Sequence, residues 1–177
     1  MREQIKIYRM VESAKMPFKG TRSSSCYDIC YCPDAAPEGF ITAYSHNNVK
    51  IKEKAREGFY LHPRTRYLIP TGLKSDISSG WDLRIHPRSG SSLKMGLKLN
   101  NQEGVIDEDY KNQIFVSIYN GSDERVLINA GSVIAQIEAY KKPEYEFIET
   151  DIEPTVTADN ERKGGFGHTS DSDKIDV

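Results

Sequence analysis

Gly104-Val105-Ile106-Asp107-Glu108-Asp109-Tyr110 sets a carboxylate directly after two β-branched residues, and follows it with further acids and a tyrosine. Gln113-Ile114-Phe115-Val116-Ser117-Ile118-Tyr119 comes next, and its alternation reads as a strand. The two runs predict a β-hairpin that holds Asp107 at its rim with Tyr110 beside it. A carboxylate fixed next to an aromatic ring suits a general base working beside a bound sugar or nucleobase. The same residues also fit a plain acidic turn, so the surrounding chain has to decide.

Outward from this stretch, strand signals dominate. Gln4-Ile5-Lys6-Ile7, Asn48-Val49-Lys50-Ile51, Trp81-Asp82-Leu83-Arg84-Ile85, Arg125-Val126-Leu127-Ile128 and Val133-Ile134-Ala135-Gln136-Ile137 are short, alternating or β-branched. Turn residues at Pro63, Pro70-Thr71-Gly72, Ser79-Gly80, Asn120-Gly121 and Ala130-Gly131 separate most of them. Many short strands with regular turns predict an all-β sandwich, jelly roll or barrel. Ser91-Ser92-Leu93-Lys94-Met95 is the one helical stretch, little more than a turn. Residues 34–58, with Pro37, Gly39 and a run of alternating charge from Lys50 to Arg56, read as an excursion with its own hairpin and a solvated face. From about Asp151 the chain turns polar, and a segment of that composition cannot bury enough apolar surface to order by itself. The expected organisation is one domain over 1–155 followed by a flexible lid over 156–177.

A chain of 177 residues is long enough for a core without staples. Its net charge of −2 gives no electrostatic case for nucleic-acid or membrane binding. No apolar run reaches membrane-spanning length and Met1-Arg2-Glu3-Gln4 is too polar for a signal peptide, so the expected location is the cytoplasm. Cys26, Cys30 and Cys32 lie within seven positions with no second pair, and His46, His62, His86 and His168 are scattered. That spacing predicts reduced core cysteines and no metal site built from protein side chains alone.

Three further segments carry chemistry. His86-Pro87-Arg88-Ser89-Gly90 joins a strand to the short helix, and supplies the guanidinium, hydroxyl and free amides that a phosphate needs. Ser25-Cys26-Tyr27-Asp28 puts an acid into an early strand, where it has to be exposed, paired or aimed at a cation. Gly164-Gly165-Phe166-Gly167 sets one aromatic among glycines, the composition of a flap that closes over something flat. There is no Walker A sequence, so a triphosphate has to be held by scattered groups.

In this order, the segments at 25–28, 87–96, 104–110, 131–136 and 162–169 resemble the five signature motifs of the trimeric all-β dUTPases. The resemblance covers nearly the whole chain outside 34–58. It implies a distorted jelly-roll barrel assembled as a homotrimer with exchanged C-terminal tails and three interfacial active sites. The implied activity is hydrolysis of dUTP to dUMP and pyrophosphate, which limits uracil in DNA and supplies dUMP for dTTP synthesis. Asp107 would be the general base for a water attacking the α-phosphorus, and Tyr110 would pack on the deoxyribose and exclude a ribose. Backbone groups of Gly104, Val105 and Ile106, with Asn101, would read uracil. Arg88, Ser89, Gly90, Gln136 and Arg162 would hold the phosphates, and Gly165, Phe166 and Gly167 would form the lid. Asp28 would reach a Mg²⁺ cofactor through water.

The chain departs from the family pattern at Cys26, where a glycine is usual, and at Ser132-Val133, where an acid and a base are common. Arg162 stands one residue closer to the glycine-rich segment, which brings in Lys163 as an alternative phosphate ligand. Two other readings compete. A dCTP deaminase shares the fold but needs a glutamate base in the third segment. A regulatory protein without turnover would use the 34–58 insertion for partner contacts.

Overall fold

The structure is a computed structural model that describes residues 4–155. The expected lid over 156–177, with Arg162, Gly165, Phe166 and Gly167, lies outside the described residues.

Thirteen strands, one short α-helix and two 3-10 turns (Pro33–Ala35 and Pro37–Gly39) are the regular elements of the described residues. They are β1 (Lys6–Arg9), β2 (Tyr27–Cys30), β3 (Phe40–Tyr44), β4 (Lys50–Lys54), β5 (Gly58–Leu61), β6 (Arg66–Pro70) and β7 (Leu73–Asp76), then β8 (Trp81–His86), α1 (Ser89–Met95), β9 (Leu97–Leu99), β10 (Gly104–Ile106), β11 (Phe115–Asn120), β12 (Val126–Asn129) and β13 (Val133–Lys141). A four-stranded sheet runs β10-β8-β13-β2 and a five-stranded sheet runs β4-β3-β6-β11-β9; β1 pairs with β7 and β12 with β5. The expected all-β class is met. Among the described residues no helix is long and apolar enough to cross a membrane.

Period-two alternation drives the assembly. On β11, Val116, Ile118 and Asn120 are buried while Phe115, Ser117 and Tyr119 are half-buried. Leu83 and Ile85 of β8, Ile137 of β13 and Ile29 of β2 face the same core as Ile69 of β6 and Leu99 of β9. Burying each such side chain contributes about 1.5–3 kcal/mol. The core also holds polar groups, and their needs are met. Asn120 donates to Leu61 O and Glu124 O and accepts from the Ser122 amide and hydroxyl. Gln113 donates to Ala35 O and accepts from Gly72 N–H, each at 3.0 Å. Cys30 and Cys32 are buried and Cys26 is half-buried, all with free thiols.

Two expectations need correction. The expected hairpin between 104–106 and 113–119 does not form. β10 pairs with β8, Gly104 opposite Ile85, whereas β11 pairs with β6 and β9. Ile106 at the end of β10 and Ile114 just before β11 both enter the core, and the two strands lie in different sheets, so the chain turns a corner at Asp107 instead of folding back on itself. The 34–58 segment contains the expected hairpin, β3 against β4, but it is more than an excursion. β3 also pairs with β6 and buries Ile41 and Ala43 completely.

The compact unit that carries the sheets ends at Pro143. A second unit begins at Glu144, and its described residues include an edge-to-face pair of Tyr145 and Phe147.

Candidate active site

β10 is brought close to β8 by Gly104: a β-carbon there would stand 3.1 Å from the Cβ of Ile85. With Gly104 and Ile106 buried, the next residue, Asp107, emerges exposed at the corner. The Tyr110 amide donates to Asp107 O at 3.1 Å, and the Tyr110 hydroxyl donates to Gln113 O at 2.8 Å. Because Gln113 is itself held at both ends of its amide, Tyr110 is locked in place beside Asp107.

Glu108 is occupied otherwise. It accepts from the Lys142 ammonium at 2.6 Å and from Gly80 N–H at 3.0 Å, and these donors hold its carboxyl below the usual range. Among the described residues, no side chain is hydrogen-bonded to the Asp107 carboxylate. The corner therefore spends one acid on anchoring and presents the next one free.

A cavity of about 250 Å³ opens against this corner, lined by Asn101, Gly104, Val105, Ile106, Asp107 and Tyr110 together with Leu68, Ile85, Leu99 and Phe115–Ser117. All six third-segment residues singled out in the sequence thus meet at one hollow. It falls just under the range of pockets that take a whole drug-sized ligand, and fits one ring of a larger molecule. A separate cavity of about 330 Å³, bordered by Ile5, Ile7, Met16, Leu83 and Ile137, offers one carboxylate, Glu138, and no phosphate-binding cation.

The remaining predicted residues gather elsewhere. Asp28 of β2 sits opposite Gln136 of β13, which sits opposite His86 of β8. Asp28 is only 7% exposed, and its Oδ1 accepts from Gln136 Nε2 at 3.0 Å. Arg88 follows β8 and its Nη1 reaches Val133 O at 3.5 Å. Ser89 and Gly90 open α1, whose first-turn amides have no partner inside the helix and are free for an anion. Gly96, at φ 66°, ends α1 in the left-handed conformation.

A magnesium ion fits Asp28. One carboxylate oxygen is taken by Gln136, and among the described residues the other carries no hydrogen bond. A single hard oxygen donor suits an ion that keeps most of its waters.

The two groups do not meet within one chain. Ile106 pairs with Leu83, so Asp107 follows at the level of Asp82, while Gln136 pairs with His86. Four residues of strand separate these levels, roughly 13 Å.

One cluster escaped the sequence reading. The side-chain ligand atoms of Cys26, His86 and Glu138 lie within 4.8 Å of one another. The scattered positions carry no spacing signal; only the pairing of β2, β13 and β8 assembles them. Burial first, then Glu138 and Asp28, push the Cys26 thiol up.

Comparison with known proteins agrees with this geometry. A family model described as dUTPase matches residues 53–170. The deoxyuridine 5'-triphosphate nucleotidohydrolase of Finegoldia magna is 36% identical over 129 residues, covering 73% of this chain and 81% of the relative. That of Chlamydia abortus is 32% identical over 139 residues, covering 78% and 90%. Among solved structures, a mutant dUTPase of Staphylococcus bacteriophage 80alpha with dUpNHpp superposes with a TM-score of 0.66 at 20% identity, covering 93% of this chain and 98% of the other. A mutant dUTPase of phage phi11 of S. aureus, described with a structural Mg(II) ion, gives 0.64 at 19% identity, covering 85% and 98%.

Proposed function

The chain belongs to the dUTPase family and hydrolyses dUTP to dUMP and pyrophosphate; we propose that Asp107 activates the water, at sites shared between the subunits of a homotrimer. The observation that carries this reading is the separation just described. Asp107 with its ring-sized cavity stands at one end of β8, and Asp28, Gln136 and Arg88 stand at the other. A nucleotide triphosphate touches both kinds of group at once, so a neighbouring copy has to bring the second group to the first.

In this reading uracil enters the cavity and meets the backbone of Gly104, Val105 and Ile106, with Asn101 at the rim. The locked ring of Tyr110 packs on the deoxyribose and leaves no room for a 2′-hydroxyl. Asp107 takes a proton from a water as its oxygen bonds to the α-phosphorus in line. The bond from that phosphorus to the bridging oxygen breaks, and pyrophosphate leaves. Arg88 with the amides of Ser89 and Gly90 holds phosphate oxygens, and Gln136 both orients Asp28 and donates to the chain of phosphates. A magnesium ion, when bound near Asp28 through water, supplies charge neutralisation on those phosphates. The tail of a further subunit, through Arg162 or Lys163 and through Gly165, Phe166 and Gly167, covers the bound nucleotide. The β3–β4 hairpin, with Tyr44 exposed, leaves a surface for a regulatory partner beside catalysis.

The test offers dUTP, dCTP, dTTP and UTP separately with Mg²⁺ and follows pyrophosphate and ammonia release. Pyrophosphate from dUTP, with little from the others, is the expected result, because polar groups shaped to one pyrimidine edge are left unpaired by another. Equal rates on dUTP and dTTP, or ammonia from dCTP, would contradict it.

A further inference from the structure

We propose that Cys26, His86 and Glu138 form a binding site for a divalent transition metal of the zinc class. His86 and Glu138 come from the paired strands β8 and β13, and Cys26 stands just before β2, which pairs with β13. Ile137 of β13 pairs with Tyr27 of β2, which puts Glu138 beside Cys26, and Gln136 pairs with His86 of β8, one step along the same face. Glu138 is the hub: its Oε1 lies 3.0 Å from His86 Nε2, and its Oε2 lies 4.0 Å from Cys26 Sγ. Thiolate, imidazole and carboxylate are the three ligand types that zinc takes, and three protein ligands leave a fourth position for water.

The surroundings favour a cation. His86 stands between two carboxylates, its Nδ1 3.7 Å from Glu103 Oε1 and its Nε2 3.0 Å from Glu138 Oε1. At 3.0 Å, His86 Nε2 and Glu138 Oε1 hold either a proton or a metal cation between them. A proton would serve that pair, but it would leave the nearby sulfur unused, whereas a metal engages all three. A carboxylate behind the ligating imidazole is also the usual outer partner in zinc sites. Arg84, opposite Glu138 on β8, is already committed, to both oxygens of Asp82 at 2.9 Å and to Glu103 at 2.8 Å. Arg84 pairs with Asp82 and Glu103, and among the described residues no lysine or arginine pairs with Glu138. The mixed soft and hard ligands distinguish this site from the oxygen-only chemistry at Asp28.

The test uses the full chain, stripped with a chelator and titrated with Co²⁺ as a spectroscopic stand-in for zinc. The expected result is visible cobalt absorption with a near-ultraviolet sulfur-to-cobalt band that saturates at one metal per chain. Zn²⁺ should abolish the band and excess Mg²⁺ should leave it. Cys26→Ser should lose the sulfur band, while the buried Cys30 and Cys32 remain. Glu138→Gln, which keeps the thiol, should weaken Co²⁺ binding by about tenfold or more. Circular dichroism on both variants separates loss of binding from loss of fold. No sulfur band in the native chain, a band that survives in folded Cys26→Ser, or one displaced by Mg²⁺ would overturn the proposal. None of these readouts depends on dUTP turnover.

Discussion

Gln136 donates its side-chain amide to the buried Asp28 carboxylate at 3.0 Å, across the paired strands β13 and β2. Removing that donor leaves an acid that is 7% exposed with no side-chain hydrogen bond among the described residues. Gln136→Ala should therefore destabilise the fold by about 1–3 kcal/mol in denaturant unfolding. It should also slow dUTP turnover. The double variant with Asp28→Ala should cost less than the sum of the two single changes, because neither partner is then stranded. Additive losses would mean that the contact does no work.

Adjacent acids at the corner have opposite fates, and two neutral replacements should separate them. Asp107→Asn should keep the fold and nucleotide binding while lowering turnover by about 10²–10⁴-fold. Glu108→Gln weakens the contacts to Lys142 and Gly80, so it should lower the melting temperature and leave much of the rate. Steady-state kinetics and thermal melts on the two proteins check this. A catalytic collapse in Glu108→Gln with an unchanged Asp107→Asn would move the base.

A chain ending at Thr157 lacks Arg162, Lys163 and the glycine-flanked Phe166. It should stay folded and trimeric on light scattering yet turn over dUTP far more slowly. Full-length rates from the shortened chain would remove the tail from the site.

Tyr31 gives a pH signature of the fold. Burial pushes its hydroxyl from 10 up to about 12, outweighing the hydrogen bond that the Arg56 N–H donates to that oxygen. The unfolded chain then loses this proton first. The contribution is fully present below pH 10 and drains away as pH rises from 10 to about 12. Tyr31→Phe should flatten that part of the stability profile in unfolding experiments run across the alkaline range. An unchanged slope would assign the alkaline loss to other groups.

Much of this was legible in the sequence, and the gaps have physical causes. Alternation located β8, β11 and β12 to within about two residues, and the start of β13, because each has one face in the core. The same alternation cannot say which strands pair, and so Gly104–Ile106 was expected beside β11 when it lies on β8. β3 was underrated because Phe40-Ile41-Thr42-Ala43-Tyr44 is followed by a charged partner, while its other edge is covered by β6. Residues of the third segment converge on one cavity as expected, since they are neighbours in the chain. The partition of Glu108 from Asp107 depends on Lys142 and Gly80, and the Cys26, His86 and Glu138 cluster depends on strand register; neither is visible in local spacing.

Mixed trimers test the shared site most directly. Asp107→Asn spoils the base and Arg88→Ala spoils the phosphate side, and each variant alone should be nearly inactive. If the two groups of one site come from different subunits, unfolding the variants together and refolding them should restore activity. Random assembly leaves one intact site in every mixed trimer of cyclic symmetry, about a quarter of all sites. The predicted result is therefore recovery to about a quarter of the native rate, from a mixture whose components are silent. Mixed trimers that form, shown by mass spectrometry, and stay inactive would contradict a site built across the subunit boundary.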